Sequence, residues 1–161
     1  MTLTLITDRP PTAYFSPAAA QRKIGRVARQ HTERPVALIV DADQDCRYIL
    51  TQLLAQIHYT VVSTDNVDDA CRIATEILPM LVVTDLRIGL HDTRLIPIEL
   101  RRIPALEWIP MVVSSAWGLP QDSALAESVG ADLFTTTPLD FRAIKELVAK
   151  LLQRPRRFAG D

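Results

Sequence analysis

Val36-Ala-Leu-Ile-Val40-Asp41 and Met80-Leu-Val-Val-Thr84-Asp85 are short apolar runs that each end in a carboxylate. A run that is apolar throughout, not alternating, reads as a strand buried on both faces, and such strands belong to parallel sheets covered by helices. The intervening sequence supports that reading. Cys46, Ile49, Leu50, Leu53, Leu54 and Ile57 recur at helical spacing, Thr60-Val-Val-Ser-Thr64 is a second short strand, and Val67, Ala70, Cys71, Ala74, Ile77 and Leu78 form another helical stripe. Asp65 or Asn66 is placed to cap that second helix.

Farther along, a helix interrupted by Pro97 is expected over Leu95 to Ile103, a strand over Pro110 to Ser114, and a short helix over Gln121 to Val129 that Gly130 can terminate. A fifth strand is expected over Asp132 to Thr136. Beyond Pro138, Asp140 caps a last helix with the stripe Phe141, Ile144, Leu147, Val148 and Leu151. Five strands alternating with five helices predict an α/β fold, a doubly wound five-stranded parallel sheet. Right-handed crossovers then put helices on both faces, with the site at the carboxyl ends of the strands.

The whole chain has 161 residues, 48% hydrophobic and 23% charged, which suits one domain with a sizeable core. Its formal net charge is −1, unevenly placed. Residues 1–35 carry six basic and two acidic side chains, residues 36–150 nine and sixteen, and residues 151–161 three and one. An acidic domain, residues 35–152, is thus flanked by a basic N-terminal arm, 1–34, and a basic tail, 153–161. Pro10, Pro11 and Pro17 break up the start of the arm, which reads as flexible, with a basic helix possible over Gln21 to Gln30 after Ser16 and Pro17.

Composition also excludes several function classes. No apolar run approaches the roughly 18 residues of a membrane span, and the N-terminus lacks the order of regions in a signal peptide. A cytoplasmic, soluble domain is therefore expected. Cys46 and Cys71 make no disulfide framework, and His31, His58 and His91 are too scattered for zinc. Aromatics are only 6% of the chain and do not interleave with the basic arm, which argues against nucleic-acid binding.

Asp41 and Asp85 end adjacent inner strands in such a sheet, so their carboxylates share one rim. Like charges there repel unless a cation lies between them, and hard oxygen ligands suit Mg²⁺. A carboxylate beside Mg²⁺ can also attack a phosphoryl group, because the metal neutralises charge on the transferred oxygens.

Four segments carry a family resemblance. Leu38-Ile-Val-Asp41-Ala-Asp43-Gln-Asp45 resembles the first strand and acidic turn of bacterial response-regulator receiver domains, and Pro79-Met-Leu-Val-Val-Thr-Asp85 their third strand. Ile109-Pro-Met-Val-Val-Ser-Ser115 resembles the fourth strand, and Gly130-Ala-Asp-Leu-Phe134-Thr-Thr-Thr137-Pro138 the fifth. The resemblance implies a flavodoxin-like (βα)5 receiver fold and a role in phosphorelay signal transduction, without turnover chemistry. It makes Asp85 the phosphoacceptor, Asp41 and Asp43 its acidic pocket, Asp41 and Asp85 the Mg²⁺ ligands, and Ser115 and Phe134 the switch pair. Implied partners are a histidine kinase or another signalling protein, with residues 121–150 as the output face and a route to a homodimer.

Two departures weaken that chemistry. Ala42 stands where the family has a second acid, a direct Mg²⁺ ligand, and Thr137 replaces the lysine that pairs with the phosphoryl group. A lost charge-assisted contact is worth about 1.5–3 kcal/mol. The expectation is an atypical receiver with impaired or absent Mg²⁺-dependent phosphorylation, and Arg87, with Trp117 as a lid, is expected to pair with the acids in place of the missing cation. Only Gln153 to Asp161 follow the last helix, so a stand-alone module is expected.

Val40-Asp41-Ala-Asp43 also resembles the nucleophile motif of haloacid-dehalogenase-type phosphatases, with Asp41 attacking and Asp43 as acid/base. That alternative lacks the later lysine and acidic pair. An EF-hand calcium loop over Asp41, Asp43 and Asp45 fails at Cys46, where glycine is required, and at Gln52, where glutamate is required.

Overall fold

A computed structural model describes residues 4–5, 34–87, 95–115, 119–136 and 141–153. The elements are β1 (Thr4–Leu5), β2 (Val36–Val40), α1 (Gln44–Gln56), β3 (Thr60–Thr64), α2 (Val67–Ile77), β4 (Leu81–Asp85) and α3 (Ile96–Arg101), then a 3-10 turn (Pro104–Leu106), β5 (Met111–Ser115), α4 (Pro120–Ser128), β6 (Leu133–Thr136) and α5 (Phe141–Gln153). The sheet order is β1-β6-β5-β4-β2-β3. Strands β2 to β6 are parallel, as expected, so the five-stranded doubly wound core is present.

One element corrects the sequence reading. The arm reads from the sequence as flexible or partly helical, yet Thr4 pairs with Phe134 and Leu5 with Leu133, antiparallel, making a sixth strand at the β6 edge. The signal is the alternation Thr2-Leu3-Thr4-Leu5, a strand period obscured by the prolines that follow. The helix expected within 17–30 and the tail from 154 onward lie outside the described residues.

Alternation along the buried strands divides the core between the sheet's two faces. Ala37, Ile39, Leu81, Val83, Val112 and Leu133 pack with Leu50 and Leu54 of α1 and Ile144 and Leu147 of α5. Leu38, Val40, Val82 and Met111 face the other way, onto Val67, Ala70 and Ala74 of α2 and Ile96 and Leu100 of α3. Small residues on α2 let that helix sit close to the sheet. Ile49, expected on the α1 stripe, is exposed, because it lies at the margin of the arc traced by Cys46, Leu50, Leu53 and Ile57.

A buried arginine ties the sheet's amino end together. The Arg101 side chain is 7% exposed. Its Nη1 donates to the carbonyls of Leu106 (2.6 Å), Glu107 (3.1 Å) and Ile109 (2.8 Å), and its Nε to Gly130 (3.0 Å). Nη2 donates to Asp132 Oδ2 at 2.8 Å, and that oxygen also accepts from the Met111 amide. One guanidinium thus fixes the end of α3, the 3-10 turn and the entries to β5 and β6.

Thr135 is the opposite case, a fully buried hydroxyl with no hydrogen-bond partner. Arg101→Ala should lower unfolding free energy by about 3–5 kcal/mol, because it removes the cation beside Asp132 and the donor to several carbonyls at once. Thr135→Val keeps the shape and removes an unpaired polar group, so it should be neutral or stabilise by about 1 kcal/mol. Urea denaturation of both variants checks the two signs together.

Candidate functional site

The rim above the carboxyl ends of β2, β4 and β5 collects the chain's polar residues. Val40 pairs with Thr84 in the parallel register of β2 and β4, so Asp41 and Asp85 follow side by side. Asp85 is in turn paired with Ser114 of β5. The expected meeting of the two acids on one rim is therefore what the sheet produces.

Asp41 is 6% exposed. Its Oδ1 accepts from the Asp43 amide at 2.8 Å, which bends the chain into α1. Asp43 is exposed, and its Oδ1 accepts from the amides of Asp45 (2.8 Å) and Cys46 (2.9 Å), capping α1. A short acceptor side chain at an N-cap satisfies amides that the helix leaves unpaired. Arg47, from the first turn of α1, donates to the backbone carbonyls of Asp41 (2.8 Å) and Ala42 (3.0 Å). Its charge thereby braces the loop.

Asp85 is half-buried, and its Oδ1 accepts from the Leu86 amide at 2.6 Å. Burial pushes its carboxyl up from 3.8 to about 6; the Leu86 N–H opposes this, and the charges of Asp41 and Asp122 add to it. The Cys46 thiol is pushed up to about 12, by burial first and then by the adjoining Asp41 carboxylate, so it is not a thiolate at neutral pH.

Asp122 is the residue the sequence reading missed. It lies in the first turn of α4, where its Oδ2 accepts from the Ser115 hydroxyl at 2.8 Å and from the Leu119 amide at 3.1 Å. The signal available was an acid three residues after the helix boundary, the place of a capping-box acceptor. Leu119, with no polar side chain, disguised that boundary. Ser115 is thus drawn toward α4 at the same rim as Asp85. Phe134 is 4% exposed and packs with Leu86, Val113, Ala126, Val129 and Ala131.

Arg87 does not behave as expected. It is exposed, and among the described residues no ion pair joins it to Asp41 or Asp85. Two residues beyond a strand end, its side chain reaches solvent, where hydration competes with pairing. Trp117 and Thr137 lie outside the described residues, as does Pro138. Among the described residues, no group of three His, Cys, Asp or Glu side chains is arranged to hold a metal ion. One oxygen each of Asp41 and Asp85 is also engaged by a backbone amide. Mg²⁺ keeps several waters and takes one or two carboxylates from a protein, so Asp41 and Asp85 are the side chains on this rim that would hold it. No described helix is long and apolar enough to cross a membrane.

No protein-family model matches the chain. Among curated proteins it is 27% identical over 117 residues to a probable transcriptional regulator, ycf27, of Porphyra purpurea, a match covering 73% of this chain and 47% of that protein. The chain thus spans about half the length of the curated relatives it matches. Among solved structures, a response regulator protein from Burkholderia multivorans is 26% identical with a TM-score of 0.60, covering 77% of this chain and 98% of the other. A putative response regulator from Chloroflexus aurantiacus is 20% identical with a TM-score of 0.69, covering 76% and 100%. The strand order and these similarities give the described residues from 34 to 153 the fold of response-regulator receiver domains.

Proposed function

We propose that this chain is a receiver module of two-component signalling that acts by contact with a partner protein, and that Mg²⁺-dependent phosphorylation of Asp85 is impaired in it. The observation that carries the reading is the charge balance at the rim. The charges of Asp41 and Asp122 both bear on the buried Asp85 there, while Ala42 and Thr137 stand in place of the family's second acid and its lysine.

At neutral pH most Asp85 is ionised and could attack a phosphoryl donor. The difficulty lies in the product. An aspartyl phosphate brings a charge of about −1.5 to −2 next to two further carboxylates. Without a clamped divalent ion or an ammonium, no basic side chain among the described residues is ion-paired with Asp41, Asp85 or Asp122 to offset that repulsion. The hydrogen bond from Ser115 to Asp122 adds a competitor for the hydroxyl that the family reading assigns to the phosphoryl group. Output through residues 121–150, toward a histidine kinase or another signalling protein, needs no turnover chemistry, and the reading is of a non-enzyme.

Incubation with acetyl phosphate and Mg²⁺ followed by intact mass tests this directly. The unaltered chain should gain little phosphate, whereas Ala42→Asp combined with Thr137→Lys should gain it at Asp85. Calorimetry should show the double variant binding Mg²⁺ more tightly by about 10- to 100-fold, the equivalent of one charge-assisted contact. Stoichiometric, Asp85-dependent phosphorylation of the unaltered chain would overturn the impairment.

The raised Asp85 carboxyl has a consequence for stability. Because the folded state favours the neutral form, the folded chain holds a proton between pH 3.8 and about 6 that the unfolded chain has lost. Stability from this group therefore falls as pH rises through that window and stays low above it. Asp85→Asn removes the penalty. It should match the parent near pH 4 and exceed it by about 1–2 kcal/mol at pH 7.5, a figure reduced for solvent screening. A difference that does not change with pH would show that the acids do not strain the rim.

A further inference from the structure

The amino end of the sheet, opposite the acidic rim, carries exposed apolar side chains. Trp108, three residues before β5, is 55% exposed, and Met80, immediately before β4, is 41% exposed. β4 and β5 are neighbours, with Val82 paired to Met111, so both side chains stand at adjacent strand entries. Leu78, two residues before Met80, ends α2. It is half-buried and has φ 48°, a left-handed conformation that glycine would adopt without strain. Large apolar side chains gathered at one end of a sheet, one of them held at a backbone cost, mark a contact surface.

We propose that residues 6–33 of this chain cross beneath the strand entries, and that Tyr14 and Phe15 seat on Trp108 and Met80. The direction of β1 supports that occupant. β1 is antiparallel to β6, and Leu5 pairs with Leu133, the first residue of β6. The chain therefore leaves β1 at the amino end of the sheet. It enters β2 at the same end, at Val36. In the order β1-β6-β5-β4-β2-β3 those two points lie four strand spacings apart, about 19 Å. The entries passed on the way are those of β6, β5 and β4, and Trp108 and Met80 belong to the last two. Helices cover both faces of the sheet, so the short route runs beneath it.

Length, composition and charge fit that route. Twenty-eight residues separate Leu5 from Arg34, several times what the span requires. Within them the aromatic side chains are Tyr14 and Phe15, side by side. Tyr14 is nine residues past Leu5, a reach of about 30 Å, against two strand spacings, about 10 Å, to the β5 entry. Aromatic rings bury a large area and pack well against an indole. Residues 1–35 carry six basic and two acidic side chains, and the acids Glu107 and Asp132 precede β5 and β6. The contact also accounts for β1 itself. A ladder of two residue pairs frays unless the segment that follows it is anchored. The inference does not depend on the chemistry at Asp85.

The test uses the full chain and reads both sides of the contact. In the parent, chymotrypsin should cut after Tyr14 and Phe15 at least about tenfold more slowly than in Trp108→Ser with Met80→Ser, because cleavage tracks the undocked population. Both substituted positions are exposed, so that variant should keep its far-UV circular dichroism. Tyr14→Ser with Phe15→Ser tests the contact from the arm and leaves the sheet untouched. With Trp117→Phe as background, its Trp108 emission should shift to the red and become several-fold more accessible to acrylamide. Protection in the parent should be the same at every protein concentration. Equal cleavage in parent and variant, an unchanged Trp108 emission, or protection that disappears on dilution (a second copy as the occupant) would overturn the proposal.

Discussion

Two carboxylates forced together by strand register are the constraint on which the rim depends. The β2–β4 ladder fixes Val40 opposite Thr84, and each strand's next residue is an aspartate. Neither side chain can retreat. Asp41 is held by the turn into α1, and Asp85 by the Leu86 amide and the buried strand behind it. The Asp85 carboxyl is raised chiefly by burial, and the charges of Asp41 and Asp122 add to that cost. Like charges kept close in a fold that could be built without them point to a use for the charge rather than to stability.

What keeps the rim in place lies at the opposite end of the sheet. Arg101 satisfies carbonyls from three separate segments and pairs with Asp132, so the β5 and β6 entries cannot slide relative to α3. A one-residue slip would invert every side chain of a strand and carry Ser115 and Phe134 to the wrong faces. The alternating core has the same effect, because Leu38 and Ile39 serve different helical layers. Positioning at the rim is therefore enforced from below, by packing and by one guanidinium.

The parallel strands and the two acids were legible in the sequence because they depend on local pattern: a short apolar run, a terminal carboxylate, a helical stripe. Arg101 was not legible, since its partners at Gly130 and Asp132 are about thirty residues away and nothing in its own neighbourhood distinguishes it from a surface arginine. Asp122 was hidden for a related reason. Its helix begins behind Leu119 and Pro120, and an apolar residue at the boundary conceals the capping geometry. β1 shows the reverse failure. Its alternation was present, but a two-residue strand gains its identity only from the edge it covers. Arg87 failed on physics rather than pattern, because proximity in sequence to Asp85 does not overcome the hydration of an exposed guanidinium.

The departures at Ala42 and Thr137 bear on the same balance. Each removes a group whose use depends on a phosphoryl dianion or the cation that accompanies it, while the groups that shape the rim and the β6 side remain. If phosphate transfer were the feature held in place, the pocket would be expected to keep its cation clamp and vary its contact surface. The combination here is Ala42 and Thr137 at the clamp positions, a Ser115 hydroxyl already bonded to Asp122, and a buried Phe134 beneath a covered edge. Under the proposed function, such a domain transmits by the surface it presents. Control of that surface then falls to the elements bordering β6, and β1 is the one held there by the fewest backbone pairs.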